Sequence, residues 1–273
     1  LPPRDITLLF RLLPKELAAE TFTFMDSDTQ MHLISGFSDK ELREILDEIY
    51  VDDTVDIIEE MPANVVSRIL KNTDSETRKQ INEILDYPAD SAGSVMTTEY
   101  VYLHKTMTTK EALEWIRKVG VVKETIYTCY VTEARKLIGF ATILDLVTAD
   151  EDATIESIMD TNIIYVYTHE DREDVAKKFS KYDFLAMPVV DNEKRMVGII
   201  TFDDVLDVIA EENEEDFSKM AAMQPIEDSY FKTSVFTHAK KRIGWLLFLM
   251  LSATITGALL TKYEEAFQAI PIL

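Results

Sequence analysis

The chain has 273 residues, of which 50 are acidic and 28 basic, so its formal net charge at pH 7 is −22. Hydrophobic residues make up 47% of the sequence, which excludes disorder as the state of the whole chain. An acidic excess of this size disfavours nucleic acid as the main partner and favours cations. The single cysteine, Cys129, excludes an internal disulfide. Because the sequence starts at Leu1 without a signal peptide, we expect it to belong to a longer chain.

Residues 1–86 are predicted to form an all-α domain of short helices. Residues that favour helix starts recur at short intervals, each followed by apolar residues at helical spacing. These candidate starts are Pro14, Asp26 or Asp28, Ser38, Asp52, Pro62 and Asp74. Helices this short are not stable alone, so we expect them to stack as an acidic superhelix. Residues 87–94 break the helical pattern and are predicted to be a linker.

An internal repeat follows the linker. Val95-Met96-Thr97 recurs as Ile158-Met159-Asp160, and the pattern Gly-x-x-Thr-x-x-Asp occurs once in each copy. The copies, 95–157 and 158–217, are each predicted to run strand, helix, strand, strand, helix. The predicted strands are 100–103, 125–131 and 137–141 in the first copy and 163–167, 185–190 and 196–200 in the second, with helices over 110–118 and 173–182. The predicted fold class is therefore α+β and multidomain.

The C-terminal part contains an apolar segment without charged residues, 243–261. It is long enough for one membrane crossing, which needs about 20 residues. Lys240-Lys241-Arg242 precedes it, and such a basic flank predicts that residues 1–242 are cytoplasmic and that the protein lies in the cell membrane. A buried core helix is the alternative. Residues 218–242 would connect the repeats to this helix, and 262–273 would continue beyond it.

Two acidic surfaces lack interleaved Lys or Arg. In the helix after the second repeat, Asp204, Asp207, Glu211 and Glu215 fall on one face. In the helical domain, Asp52 and Asp56 lie one turn apart. Faces of this kind repel each other, and a hard divalent cation such as Mg²⁺ would bridge them through carboxylate oxygens. The alternative is charge that only keeps the protein soluble.

The repeated Gly-x-x-Thr-x-x-Asp pattern has a chemical use of its own. Thr142 and Thr201 end a predicted strand, and Asp145 and Asp204 fall in the first turn of the next helix. A hydroxyl at a helix N-terminus can bind phosphate, and the Asp can accept ribose hydroxyls. The pattern resembles the CBS domain, which usually occurs in tandem and binds adenosine nucleotides between its copies. Helix capping by the same Thr and Asp is the alternative.

The order of these parts resembles the MgtE family of magnesium channels and transporters. The segments that carry the resemblance are 90–97, 182–191 and 197–208. The resemblance implies a homodimer whose cytosolic part senses Mg²⁺. Ions would join the helical domain to the CBS pair, and a plug helix at about 229–241 would then close the pore. The family has five membrane helices, of which this sequence would contain the first, without the conducting pathway.

The resemblance also implies site residues. The ion-bridging candidates are Asp52, Asp56, Gly93 through its carbonyl, Asp171, Asp183, Asp204, Asp207, Glu212, Glu215 and Asp216. Helical spacing favours Glu211 over Glu212, so both are retained. Some family members bind ATP at the CBS pair, and Asp145, Phe184 and Pro188 occupy the matching positions. The Arg that precedes this Asp in a relative is Leu144 here.

Two other readings stay open at this point. The first is an adenosine-nucleotide sensor attached to another membrane protein, in which the acidic faces have no role. The second is an enzyme, for which the sequence shows no constellation: it has no Gly-rich phosphate loop, no nucleophile elbow and no zinc-ligand spacing among its four histidines. We therefore expect a protein that is not an enzyme. Its expected ligands are Mg²⁺ and, as a second ligand, ATP or another adenosine nucleotide.

Overall fold

The computed structural model describes residues 3–220 and 235–268. It divides into two compact units, Leu1–Leu206 and Asp207–Leu273, and each is described by itself. The first unit holds the helical domain and both repeats up to the start of the helix that follows them.

Short helices build the N-terminal domain, as predicted, and its described part contains seven of them. They are α1 (Pro3–Phe10), α2 (Lys15–Thr23), α3 (Ser27–Gly36), α4 (Asp39–Leu46), α5 (Val51–Glu59), α6 (Ala63–Asn72) and α7 (Ser75–Leu85). Each buries a narrow apolar face in one common core, in which Leu33, Leu42 and Ile69 are fully enclosed. No helix of this length holds its shape in water alone, so the shared core stabilises all seven.

The helix starts follow local chemistry with one exception. Pro14, Asp26, Ser38, Pro62 and Asp74 are N-cap residues, which confirms five of the predicted starts. The predicted start at Asp52 is wrong. Helix α5 begins at Val51 with Tyr50 at the N-cap position, and Tyr50 makes no side-chain cap. The acceptor for this helix end comes from a distant segment, described below.

Each repeat forms a three-stranded mixed sheet. The first contains β1 (Tyr102–His104), β2 (Thr128–Glu133) and β3 (Lys136–Thr142), and the second β4 (Val166–Tyr167), β5 (Ala186–Val190) and β6 (Met196–Thr201). In both, the first pair is parallel and the second antiparallel. The accompanying helices are α8 (Thr109–Val119), a 3-10 turn (Gly120–Val122), α9 (Ile143–Thr148), α10 (Ile155–Ile158), α11 (Arg172–Tyr182) and α12 (Phe202–Met220). Strand–helix–strand–strand–helix is the predicted order.

The two repeats exchange their opening segments. Thr97, at the start of the first repeat, pairs with Ile199 of the second sheet, and its N–H donates to the Ile199 carbonyl at 2.8 Å. Asp160, at the start of the second repeat, pairs with Phe140 of the first sheet in the same way. A Cβ at Gly198 would lie 2.7 Å from the Thr97 carbonyl oxygen, so this close approach requires glycine. The exchange explains why the Met-containing segment recurs at the start of each copy.

The second unit contains α13 (Val235–Gln268), a single long helix. Its segment Ile243–Tyr263 has a mean hydropathy of 2.0, and it is the one stretch among the described helices that is long and apolar enough to cross a membrane. This covers the predicted 243–261. Residues 221–234, which include the first part of the predicted plug helix, lie outside the described residues. Residues 235–242 continue into the apolar segment without a break in the helix.

Candidate functional site

Three carboxylates from separate segments converge where the helical domain meets the first repeat. Asp52 lies in the first turn of α5, Glu99 precedes β1, and Glu124 follows the 3-10 turn. One carboxylate oxygen of each lies within 4.8 Å of the corresponding oxygen of the other two. We refer to Asp52, Glu99 and Glu124 as the acidic triad.

Glu99 is fixed by the end of helix α5. Its Oε2 atom accepts the backbone N–H of Val51 at 3.3 Å. The first N–H groups of a helix have no partner within the helix, and the helix dipole favours a negative charge there. Glu99 therefore supplies, from the CBS side, the cap that Tyr50 does not provide, and it ties the helical domain to the first repeat.

The other two members of the triad present oxygens without partners. Oδ1 of Asp52 and Oε2 of Glu124 are enclosed from solvent and have no hydrogen-bond donor among the described residues. A buried polar atom without a partner costs about 1–3 kcal/mol, and more when it is charged. Native proteins rarely retain such atoms unless water, a proton or an ion completes the site.

Asp204 adds a fourth carboxylate from the second repeat. It is held at the start of α12 by Thr201, whose backbone N–H donates to Oδ2 at 3.2 Å and whose hydroxyl donates to the same oxygen. Burial, with a contribution from Asp203, raises the pKa of Asp204 to about 6 despite these two hydrogen bonds. The charge of Asp204 in turn raises the pKa of both Asp52 and Glu124.

The pKa shifts of the triad share one main cause. Burial raises the pKa of Glu124 to about 7, with further contributions from Asp204 and other acids. Burial also raises the pKa of Asp52 well above its usual range. It raises the pKa of Glu99 too, against the opposing effect of the Val51 N–H and of the Lys123 charge.

Charges this close cannot all persist without compensation. At an effective dielectric constant of 20, two unit charges 4 Å apart repel by about 4 kcal/mol. The cluster therefore takes up protons or binds a cation. Oxygen atoms around one Mg²⁺ at about 2.1 Å lie about 3 to 4.2 Å apart, and the triad needs only a small contraction, or a retained water, to match this. The residues fit a hard divalent cation.

The structure distributes the remaining predicted ligands of the first unit over three other places. Asp56 lies on the exposed side of α5, one turn beyond Asp52. Gly93 donates its N–H to the Thr168 carbonyl at 2.8 Å, so the linker runs beside the segment that ends at Asp171. The Asp171 carboxylate caps α11, and Asp183 ends the same helix in a left-handed conformation with φ of 54°.

The predicted ligands of the second unit all lie along α12: Asp207, Glu211, Glu212, Glu215 and Asp216. Glu215 forms an ion pair with Lys219 at 2.7 Å, one turn further on. Lys219 follows the run of acids, so the cation that pairs with Glu215 lies just beyond the stretch that lacks Lys and Arg.

The nucleotide candidates lie in both repeats. Asp145 forms a capping box with Thr142, whose hydroxyl donates to Asp145 Oδ2 at 2.6 Å. Phe184 packs against Phe179 and Tyr182, and Pro188 is buried in β5. Capping is therefore a role that Thr142 and Asp145 fill in this structure.

Sequence reasoning missed Glu99 and Glu124, and it missed that Asp53 contributes to the potential at the cluster. Neither glutamate stands in an acidic run or at a helical spacing from another acid. Glu124 even follows a lysine, Lys123. Local pattern therefore contains no signal for them, because only the packing of three distant segments brings them to Asp52.

Comparison with known proteins supports one family. The family model for the MgtE intracellular N domain matches residues 1–90, and the CBS domain model matches residues 155–211. The magnesium transporter MgtE of Thermus thermophilus is 35% identical over 97% of this chain and 60% of its own length. MgtE of Bacillus subtilis is 29% identical over the whole chain and 63% of its own length. The chain thus spans about 60% of the length of these transporters.

Two solved structures agree with the fold. The cytosolic domain of the Mg²⁺ channel MgtE in complex with ATP has a TM-score of 0.73 and 37% identity, over 76% of this chain and 86% of that one. The soluble part of a magnesium transporter has the same TM-score with 31% identity, over 78% of this chain and 84% of that one. These relatives are transport proteins and not enzymes. The helical domain, the exchanged repeats and the apolar helix together with these matches show that the chain belongs to the MgtE family.

Proposed function

We propose that this chain is the cytosolic Mg²⁺-sensing and gating region of a magnesium channel or transporter, joined to its first membrane helix. Mg²⁺ bridges the helical domain, through Asp52 and Asp56, to acids of the CBS pair. These acids are Asp171, Asp183, Asp204, Asp207, Glu211, Glu212, Glu215 and Asp216, and Gly93 of the linker adds its backbone carbonyl. The functional protein is a homodimer in the cell membrane, with residues 1–242 in the cytoplasm.

One observation carries this proposal. The enclosed Oδ1 of Asp52 has no hydrogen-bond donor among the described residues, and burial, together with Asp204 of the second repeat, raises the pKa of the same carboxyl group. A contact between two domains that places such groups together is unfavourable without a cation and favourable with one. The bridging ion therefore binds the closed arrangement better than an open one, and a difference in affinity of this kind is what ligand-driven gating requires.

The membrane helix provides a path from sensing to the pore. Residues 235–242, in the region proposed for the plug helix, belong to the same helix as Ile243–Tyr263. A rigid helix transmits displacement of its cytosolic end to its apolar part. We infer that closure of the helical domain on the CBS pair is transmitted to the pore in this way.

Closure can be followed in the full chain in lipid nanodiscs by energy transfer between two dyes. Cys129 is fully buried, so dyes react at introduced cysteines in the exposed positions Glu20→Cys and Glu151→Cys. We expect transfer to increase from EDTA to 20 mM Mg²⁺, which is roughly saturating for a loose site. The pair Asp52→Asn and Asp56→Asn, which keeps shape and removes charge, should make transfer much less dependent on Mg²⁺.

Glu59→Gln, at an exposed position of the same helix, is the matched control and should respond as the parent does. Transfer that is identical in EDTA and Mg²⁺ would refute the proposed function. If the Asp52 and Asp56 variant followed the parent titration, these two residues would be solvated charge without a sensing role.

A second ligand is proposed on the basis of the related cytosolic domain solved with ATP. An adenosine nucleotide would bind the CBS pair next to Asp145, Phe184 and Pro188. Asp145 would accept ribose hydroxyls in addition to its capping bonds. Leu144 is two-thirds exposed beside it and offers no charge to a phosphate, so binding would depend mainly on the nucleoside.

A further inference from the structure

The geometry points to the first CBS repeat as a direct contributor to cation binding: we propose that Glu99 and Glu124 join Asp52 as ligands of one hard divalent cation. This rests on the proposed function, because the site lies at the same contact between domains. It adds two ligands and a third segment, and it gives the first repeat a role in sensing that its sequence pattern does not indicate.

The arrangement of the oxygens supports a shared ion over three independent charges. The three ligand atoms lie within 4.8 Å of one another, although Asp52 and Glu124 belong to segments far apart in sequence. A solvated acidic surface would let such side chains point apart, since each gains from water and from distance. Here they are turned toward one another and partly buried.

The unpartnered atoms are the second, independent observation. Oδ1 of Asp52 and Oε2 of Glu124 are both shut off from solvent and receive no hydrogen bond within the described part of the chain. The charge of the nearby Lys123 lowers the pKa of Glu99, but burial raises this pKa by more. Two enclosed acceptors without donors, within ligand distance of a third, are the environment that a metal ion completes.

Glu99 has a double role in this arrangement. Its Oε2 holds the N-terminus of α5 through the Val51 N–H, and Asp52 is the next residue of that helix. The cap therefore fixes the position of Asp52 relative to the first repeat before any ion binds. Glu99 is thus both a ligand and a positioning residue for Asp52.

Mn²⁺ binding to the full chain, measured by electron paramagnetic resonance of the free ion, tests the ligand assignment. Glu124→Gln should raise the Mn²⁺ dissociation constant of the tightest site about tenfold, because affinity in oxygen-ligand sites follows ligand charge. Glu99→Gln keeps an acceptor for the Val51 N–H and should weaken binding by a similar factor. Glu114→Gln, an exposed glutamate of the same repeat, is the control and should leave binding unchanged.

Glu124→Asp separates coordination from general electrostatics. It keeps the charge but withdraws the carboxylate by about one C–C bond, ~1.5 Å. A ligand predicts weakening close to that of Glu124→Gln, whereas a charge acting from a distance predicts binding close to the parent. Parent-like binding in either the Gln or the Asp variant at position 124, with circular dichroism confirming the fold, would overturn the assignment.

The two proposals fail in different ways. If Mn²⁺ binding weakens in the Glu124 and Glu99 variants but energy transfer in the parent does not change with Mg²⁺, the ligand assignment is supported and the sensing role is refuted. If transfer responds to Mg²⁺ while both glutamine variants bind Mn²⁺ as the parent does, the sensing role stands and the triad is not the site.

Discussion

The two CBS repeats contain the same local motif and place it in different surroundings. In each, a Thr at the end of a strand donates its backbone N–H and its hydroxyl to the carboxylate of an Asp three residues later, Thr142 to Asp145 and Thr201 to Asp204. The charge of Asp204, however, raises the pKa of Asp52 in the helical domain, and burial raises its own pKa to about 6. The same pair of Thr-to-Asp hydrogen bonds thus belongs to a capping box in the first copy and to an acidic cluster in the second.

The comparison shows that a motif gains a role from what packs against it. The hydrogen bonds from Thr to Asp join residues only three positions apart, so both copies keep them. The cluster requires that α5, Glu99 and Glu124 pack close together. They do so near Asp204 and not near Asp145. Three predictions separate the shared role from the added one.

The largest effect on stability is expected at the two glycines against which the exchanged segments pack, since both repeats share this contact. Gly139→Ala and Gly198→Ala should each destabilise the chain by about 1–3 kcal/mol, because an added Cβ would overlap the opening segment exchanged from the other repeat. The new atom would lie 2.8 Å from Met159 Sδ in the first case and 2.7 Å from the Thr97 carbonyl oxygen in the second. Urea unfolding followed by circular dichroism measures both.

Gly244→Ala, where no atom of the described residues is found within 4 Å of the added Cβ outside the helix's own backbone, is the matched control for this pair. If the two Ala variants lower the free energy of unfolding by the same amount, the exchanged contacts at positions 139 and 198 are equivalent. If only one variant is destabilised, the opening segment packs rigidly against the glycine in that repeat only.

The next effect separates the two Asp residues. At free Mg²⁺ of ten times the dissociation constant, binding should stabilise the folded chain by about 1.4 kcal/mol per independent site. For a folded region of this size that is a rise in the thermal midpoint of roughly 3 to 5 °C. We expect Asp204→Asn to remove most of this rise and Asp145→Asn to keep it.

The nucleotide proposal predicts the reverse order for the same variants. Equilibrium dialysis with ATP should show weaker binding for Asp145→Asn and parent-like binding for Asp204→Asn. If both variants lost the Mg²⁺ response equally, or neither did, the contrast between the repeats would have no functional meaning.

The smallest effect concerns pH in the absence of divalent ions. Glu124 has its pKa raised from the usual 4.5 to about 7, so between these values the folded state binds more protons than the unfolded state. Stability conferred by this group therefore falls as the pH rises from about 4.5 to 7 and is constant above. In EDTA, the thermal midpoint of the parent should fall more across this window than that of Glu124→Gln.

Glu41 provides the opposite case as a control. Its hydrogen bonds to the Ser38 backbone, then to Arg11, hold its pKa at about 2. Its contribution is present above pH 4.5 and is lost as the pH falls toward 2, so Glu41→Gln should leave the window from 4.5 to 7 unaltered. A parent and a Glu124→Gln variant with the same slope in that window would contradict the placement of Glu124 in the cluster.

Much of the architecture was predictable because it depends on local chemistry. Five helix starts in the N-terminal domain follow from N-cap residues, since a Ser or Asp side chain, or a Pro at that position, acts within the first turn. The order of elements in both repeats follows from apolar runs and the repeated Gly-x-x-Thr-x-x-Asp pattern. The apolar segment 243–261 is readable from composition alone, because a membrane crossing requires length and absence of charge.

The remaining features depend on the tertiary structure, because each of them arises from contacts between residues that are distant in sequence. Helix α5 starts at Val51 and not at Asp52 because its cap, Glu99, arrives from a segment 48 residues away. The recurrence of Met96 and Met159 marks an exchange between sheets, which sequence spacing cannot distinguish from two separate copies. The triad exists because burial and packing, which act across the folded chain, bring together carboxylates that are unrelated in sequence. Local pattern fixed which elements form, and long-range packing fixed which charges meet.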